Sequence, residues 1–184
     1  AVSSITYDPA NTQTFYAGTG EGQTARIIYR ESTGRGFGIL KSENAGDTWS
    51  VLESTRNFAY VNDVVVRTEE GKGVIYAAVS SGKYQGIDIE SSPSDGVYRS
   101  TNGGESWTQV LPDIPGKNHS YAVSDLEISA GGRIFAGTGI SIDGTGGGNI
   151  LYSDDGTNWK LFDDYAEIIK EEPVFNYAGR VVIA

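Results

Sequence analysis

The sequence predicts an all-β protein built from four-stranded antiparallel sheets, and three observations carry that reading. Glycine is abundant, at 25 of 184 residues, beside 11 tyrosines, while cysteine and methionine are absent. Gly supplies tight turns, and Tyr, Thr, Val and Ile favour strands. A short phrase ending in tryptophan occurs three times, at Trp49, Trp107 and Trp159. The strand-like segments around each phrase recur in the same order, which marks an internal repeat of 50 to 60 residues.

The first strand of each repeat reads Val2-Ser-Ser-Ile-Thr-Tyr7, Val61-Asn-Asp-Val-Val-Val66 or Val123-Ser-Asp-Leu-Glu-Ile128, and a fourth copy, Ala178-Gly-Arg-Val-Val-Ile183, ends the chain. The second reads Phe15-Tyr-Ala-Gly-Thr-Gly20, Ile75-Tyr-Ala-Ala-Val-Ser80 or Ile134-Phe-Ala-Gly-Thr-Gly139. A third, Gly38-Ile-Leu-Lys41, Gly96-Val-Tyr-Arg99 or Asn149-Ile-Leu-Tyr152, leads into the tryptophan phrase. A fourth follows it, at 50–52, 108–111 and 160–162. Four antiparallel strands repeated in this way predict β-propeller blades, sheets whose faces are covered only by stacking on their neighbours. The expected limits are blade 1 at about 1–57, blade 2 at about 58–118, blade 3 at about 119–172, and the first strand of a fourth blade at about 178–184. Closed propellers use about 4–8 blades. The chain is therefore expected to be part of a larger propeller, or to complete its ring with another chain.

The phrases themselves are Ser42-Glu-Asn-Ala-Gly-Asp-Thr-Trp49, Ser100-Thr-Asn-Gly-Gly-Glu-Ser-Trp107 and the shorter Ser153-Asp-Asp-Gly-Thr-Asn-Trp159. They resemble the Asp-box, or BNR-repeat, of a group that includes sialidases, sortilin-type receptors, family 74 xyloglucanases and a photosystem assembly factor. Tyr7-Asp8-Pro9-Ala10-Asn11 also fits the xyloglucanase-like style. The resemblance implies structural roles for Ser42, Asn44, Gly46 and Trp49, for Ser100, Asn102, Gly104 and Trp107, and for Ser153, Asp155, Gly156 and Trp159. Serine and the Asn or Asp side chain can bond backbone groups across a tight turn, glycine takes positive φ, and tryptophan packs between sheets. All three tryptophans are expected to be largely buried at equivalent places. With Asn44 and Asn102 where the box usually has aspartate, no metal is expected there.

Composition removes several function classes. A net charge of −10 repels nucleic acid and anionic membranes, and the chain has no apolar run long enough to cross a bilayer. Zero cysteines leave the redox compartment open. The resemblance implies a secreted or cell-surface location of bacterial type. A lone histidine, His119, has no second histidine with which to form a metal cluster or nucleophile pair, and it reads as a loop residue. Asp143-Gly-Thr-Gly-Gly-Gly-Asn149 lacks the Gly-Lys-Ser/Thr ending of a phosphate loop. Asp164-x-x-Glu167 before Ile168 resembles a capping box opening one short helix. No cofactor is expected.

In an antiparallel meander the tryptophan phrases and the first-to-second turns share one end. The second-to-third loops (21–35, 81–95 and 140–148) and the connections between blades (53–60, 112–122 and 163–177) share the other. Loops on a rigid scaffold are where recognition concentrates. Aromatic residues recur at that end, and with first-strand charges they form the candidate ligand site: Tyr60, Asp63, Tyr121, Asp125, Tyr177 and Arg180. The structural alternative is that these residues only seal the end of the channel. No pair of catalytic carboxylates is identified. The resemblance to xyloglucanases implies an aspartate just after the second strand, and Gly20, Ser80 and Gly139 stand there instead. The expected function is a non-catalytic recognition or scaffold module binding a glycan or a protein. The alternatives are a glycoside-hydrolase fragment whose acids lie outside the chain, and an assembly factor for a protein partner.

Overall fold

The computed structural model describes residues 1–21, 34–84, 86–165, 167 and 181–184. Within them the backbone forms three four-stranded antiparallel sheets, each a simple meander in chain order. The first holds β1 (Val2–Asp8), β2 (Asn11–Thr19), β3 (Ile39–Ser42) and β4 (Ser50–Val51). The second holds β5 (Tyr60–Glu69), β6 (Lys72–Ser80), β9 (Gly96–Ser100) and β10 (Thr108–Gln109). The third holds β11 (Ala122–Ile128), β12 (Ile134–Gly139), β13 (Ile150–Ser153) and β14 (Lys160–Leu161). A small hairpin, β7 (Gly82–Tyr84) with β8 (Ile87–Ile89), rises from the second-to-third loop of the middle sheet, where sequence pattern suggests only a loop. Residues 163–165 are helical; the rest of the expected short helix lies mostly outside the described residues.

The tight first-to-second turns follow from local chemistry. Asp8 Oδ1 accepts the Ala10 N–H at 2.8 Å, so β2 starts at Asn11, earlier than its apolar pattern suggests. Between β5 and β6 the two turn residues are Glu70 at φ 49° and Gly71 at φ 78°, the paired positive angles of a hairpin turn matched to strand twist.

The second sheet buries one face on the first sheet and the other on the third. Between the first and second sheets lie Tyr16, Ile39, Val64, Ile75 and Tyr98, joined by the partly buried Leu52 and Trp107. Between the second and third lie Tyr76, Val97, Leu126, Ile134 and Leu151, with Val110 and Trp159 at the margin. The two layers are the same layer built twice, since paired residues of successive sheets occupy matching positions.

Inner strands of adjacent sheets have no ladder between them, yet they run side by side. A bulge in each joins them. Pairing with the second strand skips Ser3 in β1, Asn62 in β5 and Ser124 in β11. In a regular strand consecutive side chains point to opposite faces, and a bulge lifts that rule. Two consecutive side chains can then reach the next inner strand. Ser3 Oγ donates to the Val61 carbonyl, Asn62 Nδ2 to the Val123 carbonyl at 2.6 Å, and Ser124 Oγ to the Val181 carbonyl at 2.7 Å. The following residue accepts an N–H: Ser4 Oγ from Val64 at 2.9 Å, Asp63 Oδ2 from Leu126 at 3.0 Å, and Asp125 Oδ2 from Ile183 at 2.6 Å. Close approach is required as well. A Cβ on Gly18 would stand 2.8 Å from the Val61 carbonyl oxygen, and one on Gly137 would stand 2.6 Å from that of Val181.

These bonds also place the end of the chain. Residues 181–184 lie beside β11, as a first strand of a following sheet should. Their register differs from the sequence alignment. Val181 stands where Val61 and Val123 stand, whereas the sequence pattern aligns it with Val64. With no hairpin partner among the described residues, its register rests on the Ser124 and Asp125 bonds and on the bond from the Val181 N–H to the Thr138 carbonyl at 3.1 Å, rather than on apolar periodicity.

The three tryptophan turns follow one plan. Ser42 Oγ accepts the Gly46 N–H at 2.9 Å, Asn44 Oδ1 accepts that of Thr48 at 2.9 Å, and Trp49 Nε1 donates to the Gly46 carbonyl at 2.9 Å. Ser100, Asn102 and Trp107 repeat these contacts with Gly104 and Ser106, at 3.0, 3.0 and 3.2 Å. The third turn keeps the serine bond, Ser153 Oγ accepting from Gly156 at 2.8 Å. Asp155 Oδ1 there accepts from Thr157 at 2.8 Å and from Asn158 at 2.7 Å. One residue shorter, that turn leaves the buried Trp159 Nε1 without a hydrogen-bond partner among the described residues.

The expectation of three largely buried tryptophans needs correcting. Trp107 and Trp159 are half-buried, and Trp49 is 37% exposed. Trp107 and Trp159 pack toward the preceding sheet; Trp107 meets Phe58, in the connection from that sheet, edge-on at 6.0 Å and donates to Ser54 Oγ at 3.2 Å. No described sheet precedes the first, so Trp49 has nothing equivalent to meet.

Two outcomes follow from this packing. Trp107→Ala should cost about 3 kcal/mol in urea unfolding, and Trp49→Ala less than about 1 kcal/mol; equal losses would show that the preceding sheet is not what the tryptophan packs on. Asp63→Ala strands the Leu126 N–H and should cost about 1–3 kcal/mol. Asp63→Asn keeps an accepting oxygen and should cost less. Burial raises the Asp63 carboxyl above the ordinary range, so the folded state binds the proton more tightly than the unfolded. Wild-type stability therefore falls as pH rises from the ordinary carboxylate value through the raised one, and Asp63→Asn should flatten that part of the profile. An unchanged profile would contradict the buried placement of this carboxylate.

Candidate functional site

The loops at the end opposite the tryptophan turns meet in a polar cleft of about 400 Å³ between the second and third sheets. Three segments build it. Ser81, Glu90 and Asp95 come from the loop between β6 and β9, His119 from the connection between the sheets, and Ser141 and Asp143 from the loop between β12 and β13. These are segments the sequence assigns to the recognition end, although none of these residues is in its candidate set.

Asp95 is the buried member, with 6% of its surface exposed. Ser81 Oγ donates to its Oδ1 at 2.6 Å, and burial outweighs that bond and holds the carboxyl above its ordinary value. The loop beneath is fixed by serines. Ser81 Oγ accepts the Ser91 N–H at 2.8 Å, and Ser91 Oγ donates to the Ser80 carbonyl at 2.7 Å. Ser80, which stands where the xyloglucanase resemblance would put an acid, receives Asn62 Nδ2 on its hydroxyl at 2.9 Å and is buried.

Asp143 gathers the opposite wall. Its Oδ2 takes Lys117 Nζ at 2.8 Å and lies 3.2 Å from His119 Nε2; its Oδ1 takes Ser141 Oγ at 2.7 Å and the Thr145 N–H at 3.0 Å. The Lys117 bond and then those from Thr145 and Ser141 hold its carboxyl well below the usual range. His119 Nδ1 faces the Ser120 carbonyl at 3.0 Å. A carbonyl and a carboxylate both only accept, so both ring bonds together require the imidazolium. The Ser120 bond and, against some desolvation, Asp143 accordingly raise the His119 pKa. The cleft thus presents a protonatable imidazole, a shielded carboxyl, an ionised carboxylate and several hydroxyls. Among the described residues no group of three or more His, Cys, Asp or Glu is placed to hold a metal ion.

Of the residues proposed from sequence, the four that are described do not line this cleft. Asp63 and Asp125 point to the next inner strand and bond its backbone. Tyr60 is fully buried under the β7 hairpin, where a Cβ on Gly82 would stand 2.7 Å from its ring. Tyr121 is buried beside Gly146, under the same loop that carries Asp143. Tyr177 and Arg180 lie outside the described residues. Of the described arginines at this end, Arg56 pairs with Glu53 at 2.7 Å, and Arg35 donates to the Arg56 carbonyl at 3.3 Å.

No protein-family profile matches the chain, and no curated protein matches it. Solved structures do. The chain is similar to an ancestral GH74 enzyme at 18% identity with a TM-score of 0.57, over 87% of its own length and 18% of that chain. It is similar to a GH74 enzyme from Niastella koreensis at 20% identity with a TM-score of 0.54, over 85% of its length and 20% of that chain. The fold is that of β-propeller blades. A GH74 xyloglucanase from Xanthomonas campestris gives a TM-score of 0.52 at 18% identity, over 85% of this chain and 21% of that one. The chain spans about a fifth of the length of these propeller enzymes. No helix among the described residues is long and apolar enough to cross a membrane.

As the only histidine, His119 gives a single clean titration. By NMR its pKa should lie above the ordinary imidazole value, and Asp143→Asn should lower it. A curve that Asp143→Asn leaves in place would separate the two side chains.

Proposed function

We propose that the chain is a non-catalytic recognition and scaffold module of a larger Asp-box β-propeller, acting in the secreted or cell-surface compartment and binding a glycan or a protein. The observation that carries this reading is the cleft at the loop end, where three segments from two blades converge on one polar surface. Its carboxylates, imidazole and hydroxyls suit the hydroxyl-rich face of a glycan or the polar backbone of a peptide. The turn bonding of Ser42 with Asn44 and of Ser100 with Asn102 supports the Asp-box reading. Remaining blades would come from the same longer protein or from another chain.

A second reading is a fragment of a glycoside hydrolase whose catalytic acids lie outside these residues. Its support is the likeness to GH74 enzymes five times as long, together with Gly20, Ser80 and Gly139 at the positions where the resemblance would place an acid.

A glycan array and a peptide-library pull-down, read with wild type, Asp143→Ala, His119→Ala and Asp47→Ala, test the proposal. Asp47 lies in the first tryptophan turn, at the opposite end. Binding that falls at least about 10-fold in the cleft variants and persists in Asp47→Ala is the expected outcome. Binding lost only in Asp47→Ala would move the site to the other end. Hydrolysis of a bound glycan by this chain would overturn the non-catalytic reading.

A further inference from the structure

His119 is the one side chain lining the cleft whose ordinary pKa lies near neutral pH. It projects from the connection between the second and third sheets. The Ser120 carbonyl lies 3.0 Å from its Nδ1, and Asp143 Oδ2 lies 3.2 Å from its Nε2. Charged groups face it from three segments. Lys117, on the same connection, shares Asp143 Oδ2 at 2.8 Å. Asp143 comes from the loop between β12 and β13, and Asp95, with Glu90 acting on it, stands across the cleft on the loop between β6 and β9.

The two partners of the ring are not held equally. Ser120 is fully buried, its backbone pairs with Asp113, and its Oγ donates to the Pro112 carbonyl at 3.0 Å. The Ile114 N–H also donates to the His119 carbonyl at 3.0 Å, so the fold fixes the carbonyl that meets Nδ1. Asp143 is half-buried, in a loop whose bonds are largely its own. The Ser141 N–H donates to the Thr145 carbonyl at 3.0 Å, the Gly144 N–H to the Ser141 carbonyl at 2.9 Å, and the Thr145 N–H to Asp143 Oδ1 at 3.0 Å. Gly146 rests on Ile114 and Tyr121. Among the described residues, the hydrogen bonds from this loop to the connection are those of Lys117 and His119 to Asp143.

The imidazolium donates to both acceptors, whereas the neutral ring has one N–H and can serve only one of them. Loss of the proton sets a ring lone pair against an oxygen lone pair, and the oxygen able to move is that of Asp143. We propose that His119 is a pH-sensitive latch on the cleft: charged, it draws the Asp143 loop against the connection and shapes the cleft for its ligand; neutral, it releases the loop and weakens binding. The Ser120 bond and then Asp143 raise the His119 pKa against some desolvation. The latch is therefore fully present below the ordinary imidazole value and is lost as pH rises through the raised one. Deprotonation also removes the positive charge that favours an ionised Asp95, so both walls respond. Lys117 keeps its own bond to Asp143, and the loop loosens without detaching. The ligand half of this inference rests on the recognition reading of the cleft; the loop half does not.

Backbone NMR relaxation of the ligand-free chain, over a series from about pH 6 to about pH 8.5, tests the latch. The order parameters of Gly144 and Gly146 should fall as pH rises, with the midpoint of the His119 ring. In His119→Gln, whose side-chain amide donates to Asp143 at every pH, they should stay constant. The Trp107 Nε1–H, in a turn at the opposite end, is the control and should not change in either protein. Uncharged glycans and peptides, screened at the two ends of the series, should bind the wild type about 2- to 5-fold more weakly at the higher pH, the effect of one partly exposed ion pair. They should bind His119→Gln equally at both. Order parameters that stay constant while His119 titrates, or that fall alike in His119→Gln, overturn the proposal. So does a bound glycan or peptide whose affinity for the wild type is the same at both ends. A screen with no binder at either pH removes the recognition reading instead, and the order parameters still decide the latch.

Discussion

Inner strands of separate sheets meet edge to edge without a hydrogen-bonded ladder, yet their backbone groups are buried and need partners. In this protein two adjacent side chains supply them, one donating to a carbonyl and the next accepting an N–H three residues on in β5 and β11 and two residues on at Val181 and Ile183. The arrangement depends on the bulge at Ser3, Asn62 and Ser124, because without it the donor and the acceptor would point to opposite faces. Bulge, clip and the small residue opposite at Gly18 or Gly137 are therefore one device. They set how closely successive sheets approach, and the apolar layers between the sheets form at that spacing.

The same device explains what Asp63 and Asp125 do. A carboxylate at the inner end of a propeller strand suggests a ligand group, and alternation along the strand is all the sequence offers to aim it. Burial and a backbone N–H instead make each an inter-sheet acceptor, and Ser4 performs the same task with a hydroxyl. That a neutral serine serves equally shows that the position needs an accepting oxygen rather than a charge. Desolvation of Asp63 is the cost of using a carboxylate there.

Much of the fold was legible because it repeats. Strand order, sheet number and the tryptophan turns each follow from residues that recur at matched positions, and the turn bonds use the side chains that turn chemistry suggests. The site was legible only to the level of segments. Loops 81–95, 112–122 and 140–148 carry the cleft, but which of their residues meet depends on contacts between different repeats, for which a linear pattern holds no signal. Tyr60 shows the same limit: its burial comes from β7 and β8, a hairpin too short and too irregular in pattern to be read from Gly82–Tyr84 and Ile87–Ile89. Asp95 was the most accessible clue, a carboxylate directly before Gly96 at the head of β9, yet its depth was invisible without Ser81 and Ser91 around it.

The two ends of the sheets divide the work between uniformity and variety. At the tryptophan end Ser, Asn or Asp, and Gly satisfy the turn internally. Even the shortened third turn preserves the serine bond, at the expense of the Trp159 N–H. A turn whose polar groups are spent on itself has little left for a ligand. At the other end the loops differ in length and sequence from blade to blade, and their polar groups face outward into a shared cleft. Because the clips and layers hold the strand ends at fixed spacing, residues as far apart in sequence as Asp95 and Asp143 can be brought to opposite walls of one cleft. The loops at that end can therefore change while the sheets remain the same.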